Sequence, residues 1–309
     1  MINGFTFTNF RGDSIDVDLR RPEVSGFLIK DVTGLGPAKA TINSTEVATY
    51  DGSFFNSSRL ESRNIVFTIG FIATETGEMI EDIRQKSYKF FAIKREVAII
   101  VKTDNRWLET TGYVESNEPE IFSQEESAQI SIICPDPYFY EAGKDRSLQK
   151  TDFYGIKHSF TFPFSNESLT EKKIVLGEIQ NMSENTVWYT GDAMTGVYIR
   201  IHALGPAKNI TIHNTELRQK MTIDTNKIAI LTNSTGIITG DDIIITTVKG
   251  SKSAYIIRDG VYTNILNALN KDADWFQLEK GDNVFTFVAD EGLTNLQFYI
   301  ENRILYEGV

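Results

Sequence analysis

Apolar and polar residues alternate over several short stretches in the first half of the chain, which is the pattern of half-buried β-strands. The clearest stretch covers residues 64–72, and its apolar positions on one face are Ile65, Phe67, Ile69 and Phe71. Weaker alternation in residues 1–20 predicts a hairpin. Residues 97–102 and 107–114 predict a second hairpin, so the first half is expected to contain a sheet.

One stretch in this half has the helical period of 3.6 residues. Between residues 78 and 91, one face is formed by Ile80, Ile83, Ser87, Phe90 and Phe91. Acidic residues come early in the stretch and lysines come late, which suits the helix dipole, and Thr76 is a candidate cap. The sequence therefore predicts one helix packed against a β-sheet.

The first half ends at residues 129–140, where a strand-like stretch is followed by two prolines. Pro135 and Pro137 cannot donate to a β-ladder, and Asp136 between them suits a turn. We interpret Pro135, Asp136 and Pro137 as a hinge. At 309 residues, two domains are expected, and the hinge puts them at residues 1–140 and 141–309.

The second half consists of short apolar runs separated by turn residues, with almost no helical pattern. About ten strands spaced in this way predict a β-sandwich. The predicted strands are residues 160–164, 174–176, 186–189, 197–204, 210–212, 227–231, 242–248, 254–257, 283–288 and 295–301. Residues 264–269 are expected to add one helical turn.

Composition, charge and cysteine content add no structural element to this picture, but they exclude several kinds of function. The chain is 41% hydrophobic and 24% charged, as in ordinary soluble proteins, and its net charge of −11 makes it a poor partner for nucleic acid. Cys134 is the only cysteine, so no intrachain disulfide forms, which fits folding in a reducing compartment. No apolar run approaches the ~20 residues of a membrane span, and we expect neither a signal peptide nor membrane insertion.

Two stretches are candidates for contact with neighbouring molecules. The first, residues 54–59, is predicted as an exposed loop in which Phe54, Phe55 and Arg59 either anchor the loop or meet another subunit. The second, residues 109–126, contains six glutamates and no lysine or arginine. It is either a solvated edge strand and loop, or a surface kept negative so that an anionic polymer passes without binding. The six are Glu109, Glu115, Glu118, Glu120, Glu125 and Glu126.

Nothing in the sequence indicates catalysis, a metal site or a cofactor. His202 and His213 are two isolated nitrogens without further ligands at a suitable spacing. Cys134 lies on a predicted strand beside a proline and has no basic neighbour in the sequence that would lower its pKa.

Eight short motifs, in this order, resemble those of the distal tail proteins of siphophages and related phage-tail-like particles. The likeness covers nearly the whole chain. The motifs are Gly34-Leu35-Gly36-Pro37, residues 51–59, Arg63-Asn64-Ile65, Pro135-Asp136-Pro137-Tyr138, Gly240-Asp241-Asp242, residues 249–253, Trp275-Phe276-Gln277-Leu278 and Gly281-Asp282-Asn283.

The resemblance implies an N-terminal sheet domain with one helix and a C-terminal galectin-like β-sandwich. It implies a structural hub that forms a hexameric ring and joins the tail tube to the tail-tip protein and to receptor-binding proteins. DNA would pass through the ring without being bound. The protein would be synthesised in the bacterial host cytoplasm and would end in the virion.

Two alternatives stay open beside this interpretation. The second domain could be a carbohydrate-binding module for host cell-wall sugars, with Trp188 and Tyr189 as stacking platforms. The chain could also be a wall hydrolase carried by a tail particle, although no catalytic motif supports that function.

Overall fold

The computed structural model describes residues 1–46, 48, 51–123, 125–142, 149–158 and 177–309, with backbone only for 155–158 and 177–181. The chain divides into two compact units. The first comprises Met1–Ser147 together with Leu305–Val309, and the second comprises Leu148–Ile304. The last five residues therefore lie in the first unit. The predicted domains at residues 1–140 and 141–309 stay a prediction.

The first unit is built on one antiparallel sheet. Its strands lie in the order β2-β1-β7-β8-β9-β6-β3, with β10 pairing with β8 and β24 pairing with β10. They are β1 (Ile2–Asn9), β2 (Ser14–Asp18), β3 (Phe27–Thr33), β6 (Arg63–Phe71), β7 (Glu96–Thr103), β8 (Trp107–Glu120), β9 (Ser127–Cys134), β10 (Phe139–Glu141) and β24 (Leu305–Tyr306). A separate hairpin consists of β4 (Ala40–Glu46) and β5 (Ser53–Leu60).

The strand register follows the apolar alternation. In β6, Ile65, Phe67 and Ile69 are completely buried, and β9 presents its own buried residues beside them in the ladder. A slip of one residue would turn this whole set toward solvent, so burial of one face specifies the pairing.

Helix α1 (Ile80–Phe90) covers the buried face of the sheet and presents Ile83 and Phe90 to it. Phe91, just beyond the helix, meets Phe7 edge to face with ring centroids 4.9 Å apart. The helix begins later than its pattern predicts. Thr76 is not its cap, because Asp82 reaches back and accepts a hydrogen bond from the Met79 N–H at 3.0 Å.

The second unit is a sandwich of two sheets around one core. One sheet has the order β11-β23-β15-β18-β19-β20, with β21 beside β15, and the other has the order β14-β22-β16-β17. The first contains β11 (Gln149–Asp152), β15 (Thr195–Ala203), β18 (Asp242–Thr246), β19 (Ser253–Arg258), β20 (Val261–Asn264), β21 (Gln277–Leu278) and β23 (Leu296–Asn302). The second contains β14 (Glu184–Tyr189), β16 (Lys208–Asn214), β17 (Gln219–Ile223) and β22 (Gly281–Glu291), and β12 (Tyr154–His158) pairs separately with β13 (Gly177–Asn181).

These two units confirm the predicted mainly-β fold class, but one predicted strand is wrong. Residues 227–231 lie in helix α2 (Thr225–Thr232), which begins where Asp224 accepts a hydrogen bond from the Asn226 N–H and ends at Asn233 in the left-handed conformation. The predicted helical turn is present at Leu266–Ala268. Residues 160–164 and 174–176, also predicted as strands, lie outside the described residues.

Candidate assembly surface

The β4–β5 hairpin is the most exposed regular structure of the first unit. Among the described strands its two members pair only with each other, and every residue of β5 is exposed. Phe54 is 55% exposed and Phe55 67% exposed, and Ile42 on the opposite strand is similarly accessible. Residues 54–59 are therefore a strand, which corrects the predicted loop.

An isolated two-stranded hairpin is marginally stable in water, and exposed apolar side chains on such a hairpin indicate a surface that becomes covered. Arg59 also lies on this hairpin, opposite Thr41, and it forms no ion pair with the described residues. The structure thus brings Phe54, Phe55 and Arg59 together on one projecting element.

Arg63, three residues after the hairpin ends, anchors its base. The side chain is 2% exposed, and all five of its N–H groups donate to backbone carbonyls. Nη1 donates to Gly34 and Gly36, in the segment that leads into β4, at 2.7 Å for Gly34. Nε and Nη2 both donate to Pro137, at 2.9 and 2.6 Å, and Nη2 also donates to Glu307 at 2.6 Å.

In these hydrogen bonds Arg63 donates only to backbone carbonyl oxygens, and none of the acceptors is a carboxylate. Burial is the main cause of a lowered pKa of Arg63, although a guanidinium stays protonated in proteins. Its carbon Cζ also lies 4.4 Å from the ring centre of Phe139, so a cation–π contact covers one side. Arg63 therefore ties the hairpin base, the proline bend and the C-terminal tail to a single point.

Gly34 is required for this arrangement. Its φ of +85° favours glycine, and a Cβ placed there would lie 2.0 Å from the carbonyl oxygen of Asn64. The backbone can thus leave β3 for the hairpin only if this position has no side chain.

The six glutamates lie along β8 and the turn that follows it. Two of them form ion pairs, Glu125 with Lys30 at 3.0 Å and Glu126 with Arg84 at 2.6 Å. Glu115 accepts a hydrogen bond from Ser131, and Glu120 accepts a long one from Ser127. Glu109 is partly buried on β8, whereas Glu118 is exposed. β8 is not an edge strand, since it pairs with both β7 and β9. A lumen or interface location for these glutamates stays a prediction.

The turn between β8 and β9 also carries a feature that sequence reasoning missed. Phe122 is fully exposed and Ile121 is about half exposed, next to several acidic residues. The sequence signal for this exposed apolar turn is the pair Ile121-Phe122, which stands within a glutamate-rich stretch.

The proline bend lies between β9 and β10, both of which belong to the first unit. Asp136 accepts a hydrogen bond from the Tyr138 N–H at 3.1 Å, and the Pro137 carbonyl is held by Arg63. The chain therefore passes through Pro135, Asp136 and Pro137 before it leaves the first unit. Their role as a hinge stays a prediction.

Of the two aromatic residues considered for sugar stacking, only one is accessible. Trp188 is 56% exposed on β14. Tyr189 is completely buried, and its hydroxyl donates to the Ala193 carbonyl at 2.6 Å. Tyr189 cannot serve as a platform, because successive residues of a strand point to opposite faces of the sheet.

The described residues contain no cluster of three or more His, Cys, Asp or Glu side chains that could hold a metal ion. Cys134 is buried, and burial raises the pKa of its thiol, which leaves it a poor nucleophile. Within the same part of the chain, no helix is long and apolar enough to cross a membrane.

No protein-family model matches the sequence, and no curated protein matches it significantly. Among solved structures, the chain is similar to the Dit protein (gp 19.1) of phage SPP1, a hub of the adsorption apparatus in phages that infect Gram-positive bacteria. The identity is 14%, the TM-score is 0.61, and the match covers 97% of this chain and 98% of that one.

Chains of the phage p2 baseplate in its activated conformation also match. One, from the structure with strontium, has 11% identity, a TM-score of 0.41 and coverage of 96% and 97%. The other, from the structure with calcium, has 12% identity, a TM-score of 0.44 and complete coverage of both chains. The likeness to the SPP1 protein shows a shared fold along almost the whole chain, and the resemblance inferred from the sequence is confirmed at that level.

Proposed function

We propose that this chain is a structural hub protein of a phage tail tip, or of a phage-tail-like particle, and that six copies form a ring. The observation that carries the proposal is the fold shared with the SPP1 hub protein over 97% of the chain. In this role the ring connects the tail tube to the tail-tip protein and to receptor-binding components.

The β4–β5 hairpin supplies a physical basis for the ring. A surface that binds a different surface on the next copy makes a head-to-tail contact, which closes into a ring when the rotation between copies permits it. Phe54 and Phe55 have the exposure and the aromatic character that such interfaces favour. The open edges of β4 and β5 can in addition pair with a strand of the neighbour.

The charge of the chain fits a ring through which DNA passes without being held. Six times the net charge of −11 gives −66 for the ring, and phosphate backbones are bound through basic surfaces. We accordingly assign the protein to the virion after synthesis in the host cytoplasm, with no catalytic role.

The ring is tested with the purified full chain by native mass spectrometry over a wide concentration range and by negative-stain electron microscopy. The expected species is a hexamer with six-fold symmetry. A chain that stays monomeric at every concentration, or that forms rings of another size, contradicts the hexamer.

The hairpin is tested by replacing Phe54 and Phe55 together with serine. If each aromatic ring contributes ~2 kcal/mol to the interface, association should weaken about a thousandfold. The control replaces Val261 and Tyr262, an equally exposed pair on β20 of the second unit, with serine. If both double variants assemble like the parent chain, the hairpin is not the ring interface.

The alternative as a carbohydrate-binding module retains one accessible aromatic residue, Trp188. Binding of the full chain to purified cell walls, and its loss in Trp188→Ala, would favour it.

The wall-hydrolase alternative is tested by a zymogram, in which clearing of the wall substrate would contradict a purely structural role.

A further inference from the structure

The second unit contains an open cavity of about 440 Å³ at the β16–β17 hairpin and the adjoining strand β22. Three of its lining side chains, His213, Arg218 and Lys220, carry or can carry positive charge, and no carboxylate residue lines it. In a chain with a net charge of −11, a cavity lined in this way is unusual.

Strand pairing brings the lining residues into one row. Lys220 lies opposite His213 in the β16–β17 ladder, and His213 lies opposite Thr286 in the β16–β22 ladder. Side chains in such cross-strand positions are neighbours on the same face of a sheet. Arg218 stands in the turn that joins the two strands, with a left-handed φ of +53°.

Arg218, Lys220 and His213 form no ion pair with the described residues, so the side chains of all three are available to a ligand. Acidic groups are nevertheless close on two sides. Glu184 lies across Thr286 and accepts a long hydrogen bond from it, at 3.5 Å.

On the other side, Asp274 accepts a hydrogen bond from the backbone N–H of Lys220, and Glu216 lies in the hairpin turn. Asp272 is close enough for Lys220 to contribute to the lowered pKa of its carboxyl, which a hydrogen bond from Asn270 lowers most. These carboxylates limit the favourable position for an anion to the space between His213, Arg218 and Lys220.

Hydroxyl side chains complete the lining. Thr286 lies beside His213 on the same face of the sheet, and Thr215 follows β16 in the hairpin turn. A threonine hydroxyl can both donate and accept a hydrogen bond, so it can pair with the hydroxyl groups of a sugar. Asn214 and Gln219 alternate with His213 and Lys220 along the strands, so their side chains point to the other face of the sheet.

We propose that this cavity binds an anionic saccharide, one that carries a carboxylate or a phosphate group on a hydroxyl-rich body. The anion is held by Arg218, Lys220 and His213 through charge-assisted hydrogen bonds. The sugar hydroxyls meet the hydroxyl groups of Thr215 and Thr286. The site is independent of ring formation, and its failure would leave the hub role unaffected.

The chain's three histidines make a direct assay possible. The full chain is prepared with ¹³C-labelled histidine, and the ring C–H resonances are assigned by single substitutions. Glucuronic acid, glucose 6-phosphate, glucose and inorganic phosphate are then titrated separately. His202 is the internal reference, because it lies in the other sheet and pairs with Asp242 at 2.7 Å.

We expect glucuronic acid, glucose 6-phosphate or both to shift the His213 resonance saturably while the His202 resonance stays in place. Glucose and inorganic phosphate should each bind at least about tenfold more weakly. Binding of only one acidic sugar identifies which anion the site accepts. Glucose that binds as well as the acidic sugars overturns the anionic assignment, phosphate that binds as well overturns the saccharide assignment, and no response to either acidic sugar overturns the site.

The variant Arg218→Asn/Lys220→Gln should lose binding by about tenfold or more, since asparagine tolerates the left-handed backbone at the first position. The control Lys227→Gln/Lys271→Gln removes the same charge from exposed positions of the same unit. Equal loss in both variants would show general electrostatic attraction and overturn the proposal. Unchanged binding in the first variant would overturn it as well, and the His202 resonance verifies that each variant is folded.

Discussion

Replacing Arg63 with methionine should unfold the base of the hairpin. The guanidinium donates to the carbonyls of Gly34, Gly36, Pro137 and Glu307, which lie in three segments that are distant along the chain. Methionine has a similar length but donates no hydrogen bond, so these carbonyls lose their partner inside the protein.

The magnitude follows from the kind of contact. Hydrogen bonds to a charged group contribute ~1.5–3 kcal/mol each, and Arg63 makes five of them. Part of that gain is offset in the native protein, because burying a guanidinium costs several kcal/mol in lost hydration. We therefore expect Arg63→Met to lower the free energy of unfolding of the first unit by about 3–5 kcal/mol.

Urea denaturation measures this loss through the fluorescence of Trp107, which lies in the first unit. The other two tryptophans, Trp188 and Trp275, are replaced with phenylalanine in the parent and in every variant, so that the signal reports on one unit. Arg59→Met, an exposed arginine on β5, is the matched control and should change stability by less than ~0.5 kcal/mol.

Arg63→Lys should recover less than half of the loss, because an ammonium has three donors and lacks the planar fork. Hydrogen exchange should locate the effect in residues 34–37 and in the tail at 305–309, where protection falls by about a hundredfold for 3 kcal/mol. If Arg63→Met and Arg59→Met have the same urea midpoint, the anchoring role of Arg63 is refuted.

Three further predictions concern the first unit. Ile83→Asp should destabilise it by about 3–5 kcal/mol, because the variant buries an unpaired charge under α1. Ile80 is about half exposed, so Ile80→Asp should have a much smaller effect. Equal melting temperatures for the parent chain and Ile83→Asp would disprove this packing. Gly34→Ala should lower the free energy of unfolding, measured by chemical denaturation, by more than ~2 kcal/mol. Gly36→Ala should be nearly neutral, because a Cβ at this position meets open space. A neutral Gly34→Ala would contradict the close approach of Gly34 to the Asn64 carbonyl. Burial raises the pKa of the Cys134 thiol, so its labelling by a thiol reagent at pH 8 should be as slow as unfolding, and fast labelling of the native protein would contradict its burial.

The elements that the sequence predicted well are those with one buried face. β6 shows this most clearly, because its apolar residues alternate with a period of two and all face the core. Helix α1 was predicted for the same reason, since Ile83 and Phe90 lie two turns apart on one face. In both cases one face of the element is buried, and the apolar residues of that face recur in the sequence with the period of the strand or helix.

Elements without a regular buried face were predicted wrongly from the sequence. The β5 strand has no buried residue, so its sequence has no alternation, and Phe54 and Phe55 stand side by side as in a loop. Helix α2 is only eight residues long and buries only Thr225 and Ile228. Its Ile-Ala-Ile-Leu run therefore has the composition of a strand, and the Asp224 cap is the local feature that distinguishes it.

The sequence by itself determined the mainly-β class, the helix on the first sheet and the sandwich of the second half, since each follows from a local period of burial. Only the tertiary structure decided that the C-terminal tail lies in the first unit and that Arg63 holds it there. Only the tertiary structure, likewise, assembled His213, Arg218 and Lys220 around one cavity. The Arg63 contacts join residues far apart along the chain, and an arginine that donates to backbone carbonyls has no partner side chain whose identity could reveal it. The three cationic positions are close in the sequence, but only the observed pairing of β16 with β17 sets which of their side chains are neighbours.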